Sequence, residues 1–186
     1  MHYACGCNPV RLKQKSHIVD LNLRDSDGHV WQEESVSLMY LFRKWHEEVP
    51  GDCKYSCEQH GGEYKGQSSC ILRSEDSAAL PHCLTFNIVR EYYDNGTCVD
   101  PRPVSIEHRV NLHSLGNQEI ENSSYKLRAV LHKYGSANAG HWVCTVLHKS
   151  SWVKISDANV VDVENGTHLG FPYYATMAFY VKTHEL

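Results

Sequence analysis

At 186 residues, with 41% hydrophobic and 22% charged side chains, the chain has the composition of one folded domain, with or without a lobed extension. Its formal net charge of −4 excludes the basic surface that nucleic acid or an anionic membrane requires. No apolar run approaches the roughly 20 residues of a membrane span, so neither nucleic acid nor membrane is expected as a partner.

The opening MHYACGCNPV lacks the charged and apolar regions of a secretory signal. The eight cysteines are therefore expected as reduced thiols, some on metal, in an intracellular protein of the cytoplasm or nucleus. For the same reason the glycosylation triplets at Asn95, Asn122 and Asn165 and the terminal His184-Glu185-Leu186 carry no weight.

In chain order, "HIVDLNL" sets Val19, Leu21 and Leu23 against Ile18, Asp20 and Asn22, the alternation of a half-buried strand. Residues 35–48 carry Leu38, Leu41, Phe42 and Trp45 at i, i+3, i+4 and i+7. That stripe predicts a helix, capped by Ser35 and stopped by Pro50-Gly51. Residues 51–79 are polar, rich in Gly, Ser and Cys, and without a sustained period, which predicts short strands and loops. "LPHCLTFNIVREYY" (80–93) reads as one strand, followed by a turn region through "DNGTCVDPRP". "HRVNLHS" and "YKLRAVLHKY" read as further strands, the second placing Leu127, Ala129 and Leu131 on one face. "HWVCTVLH" and "WVKIS" make a hairpin across Lys149-Ser150, and "YYATMAFYVK" closes the domain as a last strand. The result is an α+β, mostly antiparallel fold with one main helix, divided by composition into residues 1–79 and 80–186.

Two constellations carry chemistry. Cys5-Gly-Cys7 and Cys53-Lys-Tyr-Ser-Cys57 supply four thiols, the number a structural zinc wants, although both spacings depart from C-x-x-C. His60 and Cys70 are spare ligands, and unligated thiols are the alternative. The second constellation is a loop, Gly135 to Gly140, running into Gly140-His141-Trp142, with Ser156-Asp157 returning fifteen residues later: the layout of a base and its orienter. A two-residue turn at Lys149-Ser150 pairs 147 with 152, 145 with 154, 143 with 156 and 141 with 158. Ser156 then lies diagonal to His141 on one face, and Asp157 points to the other. A three-residue turn reverses that choice, so Ser156 is favoured and Asp157 stays as the alternative.

The order "YKLRAVLHKYG", loop, "GHW", hairpin, "W-x-x-x-S-D-x-x-V" and "YATMAFY" resembles the C-terminal half of the ubiquitin-specific proteases, papain-like cysteine proteases that cut the isopeptide bond after ubiquitin's C-terminal glycine. The paired cysteines, the helix and "LPHCLTFNIVR" look like that family's zinc-bearing fingers and the strand entering its palm. The resemblance implies a papain-like half-domain: a fingers lobe with the helix over 1–79 and a β palm over 80–186. It implies His141 as general base, Ser156 or Asp157 as its orienter, and Gly140 and Trp142 beside a channel for ubiquitin's tail, under a lid formed by the 135–140 loop. Cys5, Cys7, Cys53 and Cys57 would hold one structural zinc, and ubiquitin or a ubiquitin-like modifier would be the partner.

The family's nucleophile lies in an N-terminal cysteine box on a thumb subdomain, and nothing in this chain matches it. Cys144 falls on the strand face opposite His141, Cys83 reads as a small core residue and Cys98 as a loop thiol. The chain alone is therefore expected not to hydrolyse anything. It reads as a fragment of a deubiquitinase, a ubiquitin-binding pseudoenzyme or scaffold, or one half of an enzyme completed by a thumb-containing segment, with an apolar face uncovered where a thumb would sit. A zinc-ribbon adapter, in which His141 and Ser156 meet by coincidence, is the reading from a different class. His108, His113 and His132 receive no role.

Overall fold

The computed structural model describes residues 2–3, 18–25, 28–30, 36–46, 49–56, 63–68, 80–112, 124–163 and 174–183. Along them run β1 (His2–Tyr3), β2 (Ile18–Asn22), β3 (Val36–Ser37), α1 (Leu38–His46), β4 (Val49–Ser56), β5 (Glu63–Ser68), β6 (Cys83–Val89) and β7 (Glu91–Tyr93). There follow β8 (Thr97–Val99), β9 (Val104–Ser105), β10 (Arg109–Asn111), β11 (Ser124–Gly135), β12 (Gly140–His148), β13 (Ser151–Ser156), β14 (Asn159–Val163) and β15 (Ala175–Lys182). The main sheet has the order β14-β13-β12-β11-β15-β6-β2, with β10 also on β11, and is antiparallel except for β2 beside β6. A smaller sheet has the order β1-β5-β4. Among the described residues no helix is long and apolar enough to cross a membrane.

The alternation in β2 is realised: Val19 and Leu21 are buried while Ile18, Asp20 and Asn22 are exposed. In α1, Leu38, Leu41 and Phe42 are buried against the sheet, with Phe42 edge-on to Phe86 at 5.1 Å and Phe86 edge-on to Tyr180 at 5.8 Å. Side chains of this size each contribute about 1.5–3 kcal/mol when fully buried. Because β2 joins β6 and α1 shares this core, the compositional division at residue 79 does not separate two cores. An apolar helical stripe must be covered, and the sheet covers it.

Several sequence-level expectations are corrected. The helix begins at Leu38, and its cap is Ser37, not Ser35: Ser37 Oγ accepts the Tyr40 N–H at 3.0 Å. The Glu107 carboxylate reaches the same end and accepts the Met39 N–H, although burial raises its pKa. The helix ends at His46, ahead of Pro50-Gly51, and those two residues lie within β4. The 80–93 strand is broken at Arg90, which leaves the sheet for a β7–β8 ribbon. In β11 the inward residues are Tyr125, Leu127, Val130 and His132 rather than Leu127, Ala129 and Leu131. The cause is a bulge: Leu127 pairs with Tyr180 and Ala129 with Phe179, so Arg128 is the extra residue and parity changes there. Cys83 is exposed, while its neighbour Leu84 takes the core position. On the sheet's other face Leu131, Cys144, Val146, Val153 and Ile155 are only half-buried, and Val160 on the outermost strand is exposed.

Candidate active site

The site is built by two tight hairpins in succession. β12 and β13 pair His148 with Ser151, Leu147 with Trp152 and Thr145 with Lys154, across a two-residue turn whose first residue, Lys149, has φ 54°. β13 then turns through Asp157-Ala158 and pairs Ser156 with Asn159. Asp157 adopts φ 51°, a left-handed conformation that a short polar side chain tolerates. The strand "NVVDV" that follows is absent from the sequence reading. Two of its three valines, Val160 and Val161, are adjacent and both exposed, so the segment lacks the half-buried alternation that signals a strand.

These turns decide which side chain meets the imidazole. Ser156 Oγ lies 2.8 Å from His141 Nε2, whereas Asp157, on the turn and 81% exposed, stands at 3.9 Å. The His141 side chain is itself 48% exposed, and no described residue hydrogen-bonds its Nδ1. The imidazole is thus anchored through one nitrogen and open at the other.

The loop entering His141 is a turn closed by its own hydrogen bonds. Gly135 pairs with Gly140, the Ser136 N–H donates to Ala139 O at 2.8 Å, and the Ala139 N–H donates to Ser136 Oγ at 3.1 Å. Gly135 has φ 106°, where a side chain is strained, and a Cβ on Gly140 would stand 2.5 Å from Tyr134 O. Trp142 does not share a face with His141: it pairs with Lys133, whose Nζ sits 5.7 Å from the centre of its ring. Beside His141 the structure instead puts Tyr134, its partner on β11, whose ring lies tilted against Tyr174 with centroids 4.6 Å apart. Burial, with Tyr174 alongside, raises the Tyr134 phenol pKa. Extending the hairpin register back across the Gly135–Gly140 loop is the signal that could have found Tyr134.

Of the thiols among the described residues, none lies beside the imidazole in the strand order. Cys144 points to the other face of β12, and burial raises its pKa, which disfavours thiolate. Cys83 is on β6, and Cys98 is on the β7–β8 ribbon, where its Sγ contacts Asp94 O at 3.8 Å. Cys5, Cys7, Cys57, His60 and Cys70 lie outside the described residues, and Cys53 falls within β4. Among the described residues no group of three or more His, Cys, Asp or Glu could hold a metal ion.

Solved structures share this architecture. The SAGA DUB module of Ubp8, Sgf11, Sus1 and Sgf73 bound to monoubiquitin matches with a TM-score of 0.67 and 16% identity, over 91% of this chain and 35% of that one. The same module bound to ubiquitin aldehyde gives 0.65 and 15% over 91% and 36%. A yeast SAGA module carrying an Sgf73 mutant gives 0.65 and 16% over 91% and 35%. The chain thus spans about a third of the length of these solved relatives, and at such identity the likeness gives the fold: a papain-like ubiquitin-specific protease domain, here mostly sheet. No curated protein matches the sequence. The family model for ubiquitin carboxyl-terminal hydrolase matches residues 9–180, nearly the whole length. The chain belongs to the ubiquitin carboxyl-terminal hydrolase family.

Proposed function

We propose that this chain is the fingers-and-palm portion of a ubiquitin-directed cysteine isopeptidase, with His141 as general base for a thiol supplied from outside the sequence given. The observation that carries this reading is the 2.8 Å contact of His141 Nε2 with Ser156 Oγ, with Nδ1 left open. With the neutral ring protonated on Nε2 and donating to Ser156 Oγ, the Nδ1 lone pair takes the proton of an incoming cysteine thiol. The thiolate attacks the carbonyl carbon of ubiquitin's last glycine, and the imidazolium gives its proton to the departing lysine amine as the C–N bond breaks. Water, deprotonated by the same nitrogen, then cleaves the thioester. Serine fixes the tautomer without offering a full charge, so this site is slower than one in which a carboxylate faces Nε2. Asp157 at 3.9 Å supplies part of that charge through solvent.

The SAGA modules, solved with ubiquitin and with partner chains, support ubiquitin as the ligand and a further segment as the completing half. The half-exposed apolar face of the main sheet is in keeping with such a segment. In this reading Gly140 borders the channel for the ubiquitin tail, and Cys5, Cys7, Cys53 and Cys57 hold one structural zinc. Backbone topology favours the zinc: β1 and β4 flank β5 and run in the same direction, so the chain leaves Tyr3 and Ser56 toward the same end of the small sheet. Metal analysis of the purified chain is expected to find one zinc, and thermal unfolding to shift downward on chelation. A metal-free, equally stable chain contradicts it.

The position of Cys144, half-buried on the wrong face, favours one second reading, a non-catalytic ubiquitin-binding scaffold. A ubiquitin bearing a C-terminal electrophile separates the two. The chain alone is expected to bind it reversibly without an adduct, and the longest natural form to give an adduct at one cysteine. Reversible binding by both forms makes the protein a scaffold. Absence of ubiquitin binding by either form sinks both readings and leaves the adapter.

A further inference from the structure

We infer that Lys133 is the positioning residue of this site, a cationic peg that fixes the loop from which His141 emerges. That its effect reaches chemistry rests on the reading of His141 as a base; the geometry stands without it. Lys133 lies on β11 directly across from Trp142, one residue from the Tyr134–His141 pair. Its Nζ donates to Ala137 O at 3.0 Å, inside the loop, and to Glu91 Oε1 at 2.8 Å, on β7. The third direction of the ammonium is taken by the Trp142 ring, 5.7 Å away. Its stem passes along Gly140, where a Cβ would stand 3.5 Å from both Cγ and Cε. The side chain is 18% exposed, far less than a solvated surface lysine would be, whereas Glu91 is 52% exposed.

One cation thus touches the middle of the loop, its last residue and the residue after His141, and ties all three to a separate ribbon. The loop's own bonds, from Ser136 to Ala139, close the turn but do not fix its tilt against the sheet. Among the described residues, the Lys133 bond to Ala137 O is the hydrogen bond that holds the loop from outside the turn. A change in tilt propagates through Gly140 to His141, whose Nε2 must stay within hydrogen-bonding reach of Ser156 Oγ. Nothing in the base-and-orienter layout of the sequence calls for a lysine here; its role appears only once β7 and the loop are in place.

The test uses the whole chain and two variants. Lys133→Met keeps an unbranched apolar stem on Gly140 and removes the charge and donors. Loss of one hydrogen bond to a charged group corresponds to at least about a tenfold increase in loop opening, read as faster amide exchange at Ser136 and Ala139. Ring-nitrogen NMR of His141 is expected to move from one tautomer toward an average of two, with Lys133→Arg returning it toward wild type. Glu91→Gln, at an exposed position that cannot unfold the protein, is expected to move the same signals in the same direction by less. If Lys133→Met does not fold, Glu91→Gln alone decides. Wild-type exchange and an unchanged His141 tautomer in the folded variants overturn the inference. These signals do not involve ubiquitin, so they fail or succeed independently of the electrophile experiment.

Discussion

Replacing Arg90 with methionine is expected to destabilise the fold by about 3–5 kcal/mol, a large part of the roughly 5–15 kcal/mol that holds a domain together. Arg90 is 5% exposed, and its guanidinium donates to three backbone carbonyls: Ala175 O at 2.7 Å, Asp100 O at 3.0 Å and Arg102 O at 2.7 Å. Burial lowers its pKa to about 10, but the fork still carries its charge at neutral pH. These carbonyls belong to the start of β15 and to the stretch after β8, which have no sheet bonds to each other. Arg90 therefore substitutes for strand pairing at the point where β6 ends. Asp100 extends the junction by receiving Arg102 at 2.9 Å and Arg24 at 3.5 Å, and Arg102 reaches back to Leu23 O. Methionine fills similar volume but takes the guanidinium donors from three acceptors, two buried and one part-buried, each loss costing about 1–3 kcal/mol where water does not enter. Thermal and urea unfolding followed by circular dichroism measure the loss. A domain of this size moves about 2–4 °C per kcal/mol, so a fall of about 10 °C is expected. Arg90→Lys should recover little, because one ammonium cannot span all three carbonyls in the guanidinium plane. A change below about 1 kcal/mol means that water satisfies these carbonyls and the junction is not a keystone.

The same junction explains what the sequence could and could not convey. Periodicity exposes β2, the stripe of α1 and the strands flanking Lys149-Ser150, because each presents one face to a single core and the pattern is local. The break at Arg90 is invisible to periodicity, since "NIVREYY" is equally β-prone on both sides and the arginine's partners are ten, twelve and eighty-five residues away. The bulge at Arg128 likewise leaves no composition signal; it is a property of the pairing with β15, and it moves every core assignment after it by one. At the site, the His141–Ser156 contact was legible because it follows from a turn length and strand parity. Tyr134 follows from the same hairpin register carried back to β11, but the contacts of Lys133 with Glu91 and of Tyr134 with Tyr174 do not, because each joins segments about forty residues apart in sequence. Trp142 shows the limit of reading a motif as a unit: adjacent letters in "GHW" occupy opposite faces of a strand.

Gly140→Ala is expected to abolish the site while leaving the fold standing. A Cβ at this position would lie 2.5 Å from Tyr134 O, a distance that a real contact does not reach. The obstructing atom is backbone, on the residue that pairs with His141 itself, so it cannot swing away as a side chain would. Relief must come from β12, by rotating or withdrawing the residues that enter the strand, and the first of these is His141. Overpacking of this kind costs about 1–3 kcal/mol, which the main core can sustain, with a loss of several degrees in thermal midpoint. A displacement of about 1 Å at a reacting group, however, is enough to lower a rate about 100-fold. With His141 as the proposed base, Gly140→Ala in the longest natural form of the protein should therefore slow adduct formation with the ubiquitin electrophile by about that factor. His141 ring-nitrogen NMR on the chain itself should show the Ser156 hydrogen bond lost. Adduct formation at the wild-type rate in a folded Gly140→Ala protein would mean that His141 does not act from the position seen here, and the base would have to be sought elsewhere.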